Sequence, residues 1–169
     1  MVHGDDFTLS GSDEDLDWFR SEINKKMDVK FRARLGPDQK DDKSVRILNR
    51  VVEWGMEGIW YEADQRHGEI LIKEFDLMNS RGVDTPSSHE NRLCLDEEDN
   101  TEPLDPSQVT RYRAAAARCN FLGLDRPDIQ YAAKEVRRGM AKPTNRDLNR
   151  LKRLVRYLVK HPRLVFDFP

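Results

Sequence analysis

The sequence has few aromatic residues and almost no cysteine. Of its 169 residues, 8% are aromatic and two are cysteine, Cys94 and Cys119, which form no C-x-x-C pair. The four histidines lie far apart, so the spacing of a structural zinc site is absent. No apolar run approaches the ~18 residues of a membrane span, and the first residues lack the basic and apolar regions of a signal peptide. We therefore expect a protein of a reducing compartment, without structural zinc and without a membrane partner.

Charged residues of both signs are abundant, at 36% of the chain, but they are unevenly distributed. Residues 111–163 carry 15 basic and 4 acidic side chains, a balance of +11, whereas residues 1–110 carry 14 basic and 26 acidic side chains, a balance of -12. A segment this basic is a candidate for binding a polyanion. The charge count leaves open the alternative of an ordinary solvated helical surface.

The first half of the chain has the pattern of a mixed α and β unit. A capping box that starts at Ser12 predicts an amphipathic helix over 13–27. Strand-forming residues over 45–61 flank a turn with two glycines and predict a hairpin. Asp64 is placed to cap a second helix. The order helix, hairpin, helix predicts an α+β unit over 1–78.

The second half has the pattern of a helical segment that follows a linker. Residues 79–106 contain prolines and an acidic cluster without a sustained period, which predicts a linker or a long loop. One helix is then predicted over 106–122, a second capped by Asp128, and a third that begins with a capping box at Thr144. Residues 107–163 are thus predicted to form a separable all-α segment.

Two adjacent carboxylates, Asp5 and Asp6, lie in a short segment of apolar and β-branched residues that also holds a glycine. Two acids at a tight turn between strands are the ligands that a two-metal nucleotidyl transfer site uses, because carboxylate oxygens bind Mg²⁺. An Asp-Asp pair is also common in solvated turns, so the dipeptide by itself leaves both interpretations open.

Basic residues recur at helical spacing on the faces opposite the apolar residues of the last two helices. Such rows suit a phosphate backbone and supply affinity without reading base sequence. A solvated helix surface is again the alternative. The predicted nucleic-acid-binding residues are Arg126, Lys134, Arg137, Arg138, Lys142, Arg146, Arg150 and Arg153.

Several short motifs, taken in chain order, resemble those of the copia-type (LTR retrotransposon) reverse transcriptases. The string His3-Gly4-Asp5-Asp6 is similar to the Tyr-x-Asp-Asp box of that family. The ordered set runs over nearly the whole chain. Its other members are Lys30-Phe31, Leu35-Gly36, Gly82–Pro86, Tyr112-Arg113, Arg126–Ile129, Lys142-Pro143 and Leu151–Leu158.

The resemblance implies an α+β fold in which a partial polymerase palm of hairpins and helices precedes an all-α, thumb-like segment of three helices. It implies that Asp5 and Asp6 are catalytic and bind Mg²⁺ (or Mn²⁺). The implied partners are an RNA/DNA template-primer, dNTP in the complete enzyme, and the remainder of a Gag-Pol-like polyprotein. The implied location is cytoplasmic, in a virus-like particle, or nuclear. The residues that match the primer-grip region are Leu48, Asn49, Arg50 and Trp54.

The chain also departs from the family pattern. His3 and Gly4 replace the usual Tyr and Val of the box, and Leu48-Asn49-Arg50 replaces Phe-Leu-Gly. No counterpart of the fingers or of the first metal-binding aspartate precedes Met1, and 164–169 corresponds to the start of a truncated connection. We therefore expect the isolated chain to lack polymerase activity, because two adjacent carboxylates cannot hold both metals and a nucleotide.

Three functions follow from these patterns. The first is part of an RNA-directed DNA polymerase. The second is a catalytically inactive nucleic-acid-binding remnant or repurposed element fragment, and the third is a helical interaction protein whose charges only solvate it. Salt-dependent duplex binding separates the third from the others, and template-directed dNTP incorporation separates the first two.

Overall fold

A computed structural model of the chain describes residues 2–4, 6–88 and 101–169. Two compact units are present, Met1–Arg34 and Leu35–Pro169. The fold mixes helices with antiparallel strands, as expected. Part of the predicted linker, including Cys94, lies outside the described residues. None of the helices described is both long and apolar enough to cross a membrane.

The described part of the first unit contains one helix and a short hairpin, whose strands have two residues each. Strands β1 (Val2–His3) and β2 (Asp6–Phe7) pair antiparallel, and Gly4 between them has a φ of 59°, a conformation that glycine adopts without steric cost. Helix α1 (Asp13–Asn24) begins as predicted, because the hydroxyl of its N-cap serine accepts a hydrogen bond from the Asp15 amide at 3.2 Å. The helix ends three residues earlier than predicted.

The second unit begins with a sheet whose strands follow the order β3-β4-β5-β6, all antiparallel. The predicted hairpin with its turn at residues 55–58 is confirmed. Its predicted first strand is in fact two strands, because Leu48 and Asn49 both have positive φ, 49° and 63°, and reverse the chain. The strands are β3 (Ser44–Ile47), β4 (Arg50–Trp54), β5 (Ile59–Ala63) and β6 (Val165–Phe168).

Strand β6 was not predicted. It pairs with β5 in the register Tyr61 with Phe166, and the two rings lie 6.0 Å apart. A Cβ atom on Gly58 would lie 2.3 Å from the Phe168 carbonyl oxygen, so the turn between β4 and β5 needs glycine where the end of β6 passes. Residues 164–169 therefore complete the sheet.

The described part of the second unit also contains four helices. Two of them begin as predicted: the Thr144 hydroxyl and the Asp147 carboxylate form the capping box of α5, and a proline opens α3. Helix α4 begins at Pro127, one residue before its predicted cap. Asp128 lies inside the first turn, where its carboxylate binds Arg126. The helices are α2 (Arg66–Glu74), α3 (Pro106–Leu122), α4 (Pro127–Arg138) and α5 (Asn145–Lys160).

Helix α2 shares one hydrophobic core with the three later helices. Leu71 of α2 and Phe75, which directly follows the helix, are buried in the same cluster as the apolar residues of α3, α4 and α5. The C-terminal part of the predicted linker joins this core as well, since Leu104 is buried and its amide donates to the Pro143 carbonyl at 3.0 Å. The compact unit therefore starts at Leu35 and includes α2, which differs from the predicted boundaries at 78 and 107.

Candidate nucleic-acid interface

The Asp-Asp turn is described only in part. Asp6 lies in β2, opposite His3, and is exposed. Asp5 lies outside the described residues. Among the described residues, no group of three His, Cys, Asp or Glu side chains could hold a metal ion. Metal binding by Asp5 and Asp6 therefore stays a prediction.

The primer-grip-like residues lie around one turn and one strand. Leu48 and Asn49 form the turn that leads into β4, whereas Trp54 lies at the opposite end of that strand. Arg50 begins the strand and donates from Nε to the Asp125 carboxylate at 2.9 Å. Arg50 therefore attaches the sheet to the loop between α3 and α4.

A tyrosine outside the predicted site residues also joins the sheet to the loop between α3 and α4. The Tyr61 hydroxyl donates to Asp125 Oδ1 at 2.6 Å. Its burial, together with the hydrogen bond to Asp125, raises the pKa of Tyr61. Residues of two strands, Arg50 of β4 and Tyr61 of β5, thus bind the Asp125 carboxylate. No local sequence pattern near Asp125 indicates these contacts.

Arg126 does not lie on a surface that nucleic acid could reach. Its side chain is 3% exposed and binds Asp128 through two hydrogen bonds of 2.9 and 2.7 Å. It also donates to the carbonyls of His161 at 2.9 Å and Pro162 at 3.1 Å. Arg126 therefore joins the start of α4 to the end of α5, which corrects its predicted role as a phosphate contact.

The Asp128 carboxylate, which pairs with Arg126, has a further hydrogen-bond donor. The Tyr157 hydroxyl donates to Asp128 Oδ2 at 3.0 Å. Burial would raise the pKa of Asp128, but the hydrogen bonds and charge of Arg126, with the Tyr157 hydroxyl, outweigh it and hold that pKa below its usual value. Asp128 is thus a charged structural residue at neutral pH.

Helix α4 presents three of the predicted cations on its solvent side. Lys134, Arg137 and Arg138 are exposed, and we name these three residues the α4 cationic face. Arg138 forms an ion pair with Glu135 at 3.0 Å, whereas Lys134 and Arg137 have no ion-pair or hydrogen-bond partner in the part of the chain that the structure describes. Lys142 is also exposed, in the loop after the helix. The opposite side of α4 is buried: Ile129, Ala132, Ala133 and Val136.

The basic row on α5 is less available than that on α4. Arg146, Arg150 and Arg153 are all half-buried and in contact with protein atoms. Arg150 lies 3.4 Å from the Asp147 carboxylate, and Arg153 donates to the Thr85 hydroxyl at 2.9 Å. These three side chains contribute to the fold as well as to the positive charge of this region.

Residues 81–85, which we name the α5 brace, lie along that helix. Arg156 donates to the Arg81 carbonyl at 2.9 Å, and Lys160 forms an ion pair with Asp84. A Cβ atom on Gly82 would lie 2.6 Å from the Lys160 Cβ, so only glycine permits this approach. Gly82–Pro86 is one of the motifs that carry the family resemblance, but no local pattern in the sequence pairs it with α5.

The comparisons with known proteins give two relatives. The chain is 33% identical over 92 residues to the "Retrovirus-related Pol polyprotein from transposon RE1" of Arabidopsis thaliana, a match that covers 54% of this chain. It is 30% identical over 100 residues to the corresponding polyprotein from transposon RE2 of the same organism, which covers 59% of this chain. Each match spans 6% of the relative's length.

No protein-family model matches the chain, and no solved structure matches it. Both relatives are Pol polyproteins of transposons, and the similarity extends over more than half of this chain. The comparisons therefore support a retroelement Pol polyprotein as the origin of this sequence.

Proposed function

We propose that the chain holds a template-primer duplex as part of the RNA-directed DNA polymerase of a copia-type retrotransposon. The observation that carries the proposal is the α4 cationic face. Lys134 and Arg137 lie in solvent without a partner among the described residues, on a helix whose other side is anchored in the core. Cations held this way on a rigid element suit a phosphate backbone.

The charge of the surrounding segment favours the same partner. Residues 111–163 have a balance of +11, and only part of this charge is used inside the protein. Arg126 and Arg163 have carboxylate partners, whereas the α4 cationic face leaves two of its three cations for a ligand. Because phosphate contacts carry no sequence information, binding should not depend on base sequence.

A second candidate function is a nucleic-acid-binding remnant that catalyses nothing. What favours it is the sequence of the Asp-Asp turn, because two adjacent carboxylates, Asp5 and Asp6, cannot by themselves hold both metals and a nucleotide. Both candidates share the duplex-binding surface, and they differ in whether Asp5 and Asp6 bind metal.

The test of duplex binding is the affinity for an RNA–DNA hybrid as a function of salt, measured by fluorescence anisotropy with the full chain. The double variant Lys134→Ala/Arg137→Ala should lower the slope of log K against log salt by roughly 1.8, about 0.9 for each lost contact. Its control, Lys26→Ala/Lys73→Ala, removes the same charge from exposed lysines elsewhere and should leave the slope unchanged. Equal slopes in the two variants, or no binding at low salt, would contradict the proposal.

Template-directed incorporation of dNTP on a primed RNA separates the two candidates. Incorporation that needs Mg²⁺ or Mn²⁺ and is lost in Asp6→Asn favours the polymerase and overturns the expected inactivity of the isolated chain. Salt-dependent hybrid binding without incorporation, measured also after the preceding region of a related Pol polyprotein has been added, favours the remnant.

A further inference from the structure

A small groove lies between the C-terminal end of α3 and the solvent side of α4. Its volume is about 130 Å³. Gly123 and Ala133 are buried at its base, and a Cβ atom on Gly123 would lie 3.5 Å from the Ala133 Cβ, so the two backbones come close together there. Leu124, whose side chain is 64% exposed, forms an apolar wall.

Four polar side chains also line the groove: Asn120, Gln130, Lys134 and Arg137. None of them has a hydrogen-bond or ion-pair partner among the described residues. The two amides can each donate and accept, and the two cations can bind an anion. A groove with an apolar base, two free amides and two free cations suits a ligand that is flat, polar at its edges and attached to a phosphate.

We propose that this groove binds one unpaired nucleotide, with its base against Gly123, Ala133 and Leu124 and its phosphate on Lys134 and Arg137. The volume suits one aromatic ring, since a cavity of roughly 150 Å³ holds benzene. Asn and Gln side chains hydrogen-bond base edges, and single-stranded nucleotides expose those edges. Inorganic phosphate alone would leave the amides and the apolar base of the groove unused.

An exposed tyrosine extends the site along α4. Tyr131 is 65% exposed and lies three residues before Lys134, so the two side chains are neighbours on the helix surface. An aromatic ring beside a phosphate-binding lysine can stack on the next base of a single strand. The groove would thus hold the first unpaired nucleotide beyond a duplex, and Lys134 and Arg137 of the α4 cationic face would bind the backbone phosphates at the point where the duplex ends.

This inference deepens the proposed function, and its experiment separates the two. The full chain is titrated with a blunt RNA–DNA hybrid, with the same hybrid carrying a four-nucleotide overhang, and with an overhang made of abasic nucleotides. The natural overhang should bind at least about tenfold more tightly than the abasic one, because stacking and amide contacts are each worth a factor of about ten.

The variants Asn120→Ala and Gln130→Ala should each remove most of this preference and leave blunt-hybrid affinity and its salt slope unchanged. The matched control is Asn149→Ala, an exposed amide on α5, which should keep the preference. An abasic overhang that binds as well as the natural one overturns the groove assignment, while salt-dependent binding of the blunt hybrid leaves the proposed function intact.

If no hybrid binds at low salt, the proposed function fails, and titration with adenosine 5′-monophosphate still tests the groove. Shifts of the Gly123 and Gln130 amide resonances that are lost in Arg137→Ala support the site. An unchanged spectrum at millimolar nucleotide overturns it.

Discussion

Several charged side chains of this protein are buried, and each of them has a partner of opposite charge. Asp64 is 2% exposed and binds Arg66 and Arg46 at 2.8 and 3.3 Å. Glu62 accepts two hydrogen bonds from Arg163, at 2.7 and 2.9 Å. A buried charge is tolerated only with such a partner, so these residues determine which elements lie together.

Arg126→Ala should destabilise the fold by about 3 kcal/mol, because it removes the partner of Asp128 and leaves two carbonyls without their donor. Urea unfolding measures the effect. Arg137→Ala, an exposed control on the same helix, should change stability by no more than about 0.5 kcal/mol. If Arg126→Ala instead weakened hybrid binding at unchanged stability, the original assignment of this residue to nucleic acid would be right.

His67 should make stability depend on pH between about 7 and 5. Burial, and then the charge of Arg118, lower the pKa of His67 below its ordinary 6.5, although Asp64 acts in the opposite direction. A guanidinium only donates, so His67 Nδ1, 3.4 Å from Arg118, accepts and the ring is neutral. The unfolded chain takes up the proton first, so this contribution to stability is complete above pH 6.5 and is lost as pH falls.

The measurement for His67 is the free energy of unfolding in urea at a series of pH values. His67→Phe keeps the ring beside Phe121, 5.0 Å away, and should flatten the profile between pH 7 and 5. The control Asn149→Ala, at an exposed position of α5, removes no titratable group and should retain the wild-type profile. Identical profiles for wild type and His67→Phe would show that His67 does not titrate differently on unfolding.

At the scale of elements, the first turn of the sheet holds a leucine in an unfavourable conformation. Leu48 and Asn49 both have positive φ, which is the geometry of a two-residue hairpin turn that favours Asn and Gly. Leu48→Asn should therefore stabilise the protein by about 1 kcal/mol, and Leu48→Val should destabilise it by a similar amount. Thermal or urea unfolding measures both changes. Equal stabilities of the two variants would mean that backbone conformation at position 48 has no energetic consequence.

Elements that carry their own signals were predicted well, and those that depend on distant partners were not. Helix α5 begins at its capping box because Thr144 and Asp147 are three residues apart. Strand β6 has four residues and pairs with β5, about 100 residues earlier, so its formation depends on a contact that no local pattern contains. Helix α4 begins one residue before its predicted cap because Pro127 suits the first helical position, and the Asp128 carboxylate instead binds Arg126 and accepts from Tyr157 of α5.

At the scale of the whole molecule, the charge asymmetry has two uses. Acidic residues of the first 110 positions bind basic residues of the second half, as in the pairs Glu62–Arg163 and Asp84–Lys160. Some of the basic side chains behind the +11 balance are therefore paired with carboxylates inside the fold, whereas Lys134 and Arg137 of the α4 cationic face stay available to a ligand. A charge count along the sequence cannot separate these two parts.

The chain without its first 34 residues should fold, because the hydrophobic core contains residues from Ala63 to Leu158 and none of the described residues of Met1–Arg34. We expect residues 35–169 to unfold cooperatively, with a free energy within about 1 kcal/mol of that of the full chain. Residues 101–169 should fail this test, since they lack Leu71 of α2, Phe75 and the strand that pairs with β6. Cooperative unfolding of 101–169 would instead restore the predicted separable helical segment.

Local sequence signals are enough to specify α1, α3 and α5 and the hairpin at 55–58, because caps, glycines and periodicity act over a few residues. Local spacing also puts Lys134, Arg137 and Arg138 together, since residues three and four apart share a helix face. Which of the cations are free depends instead on the folded molecule. Tertiary packing buries Arg126 in an ion pair, lays the α5 brace against Arg153 and Arg156, and leaves Lys134 and Arg137 in solvent. The reason is that a charge is paired or exposed according to what packs beside it, and those neighbours come from segments up to about 100 residues away.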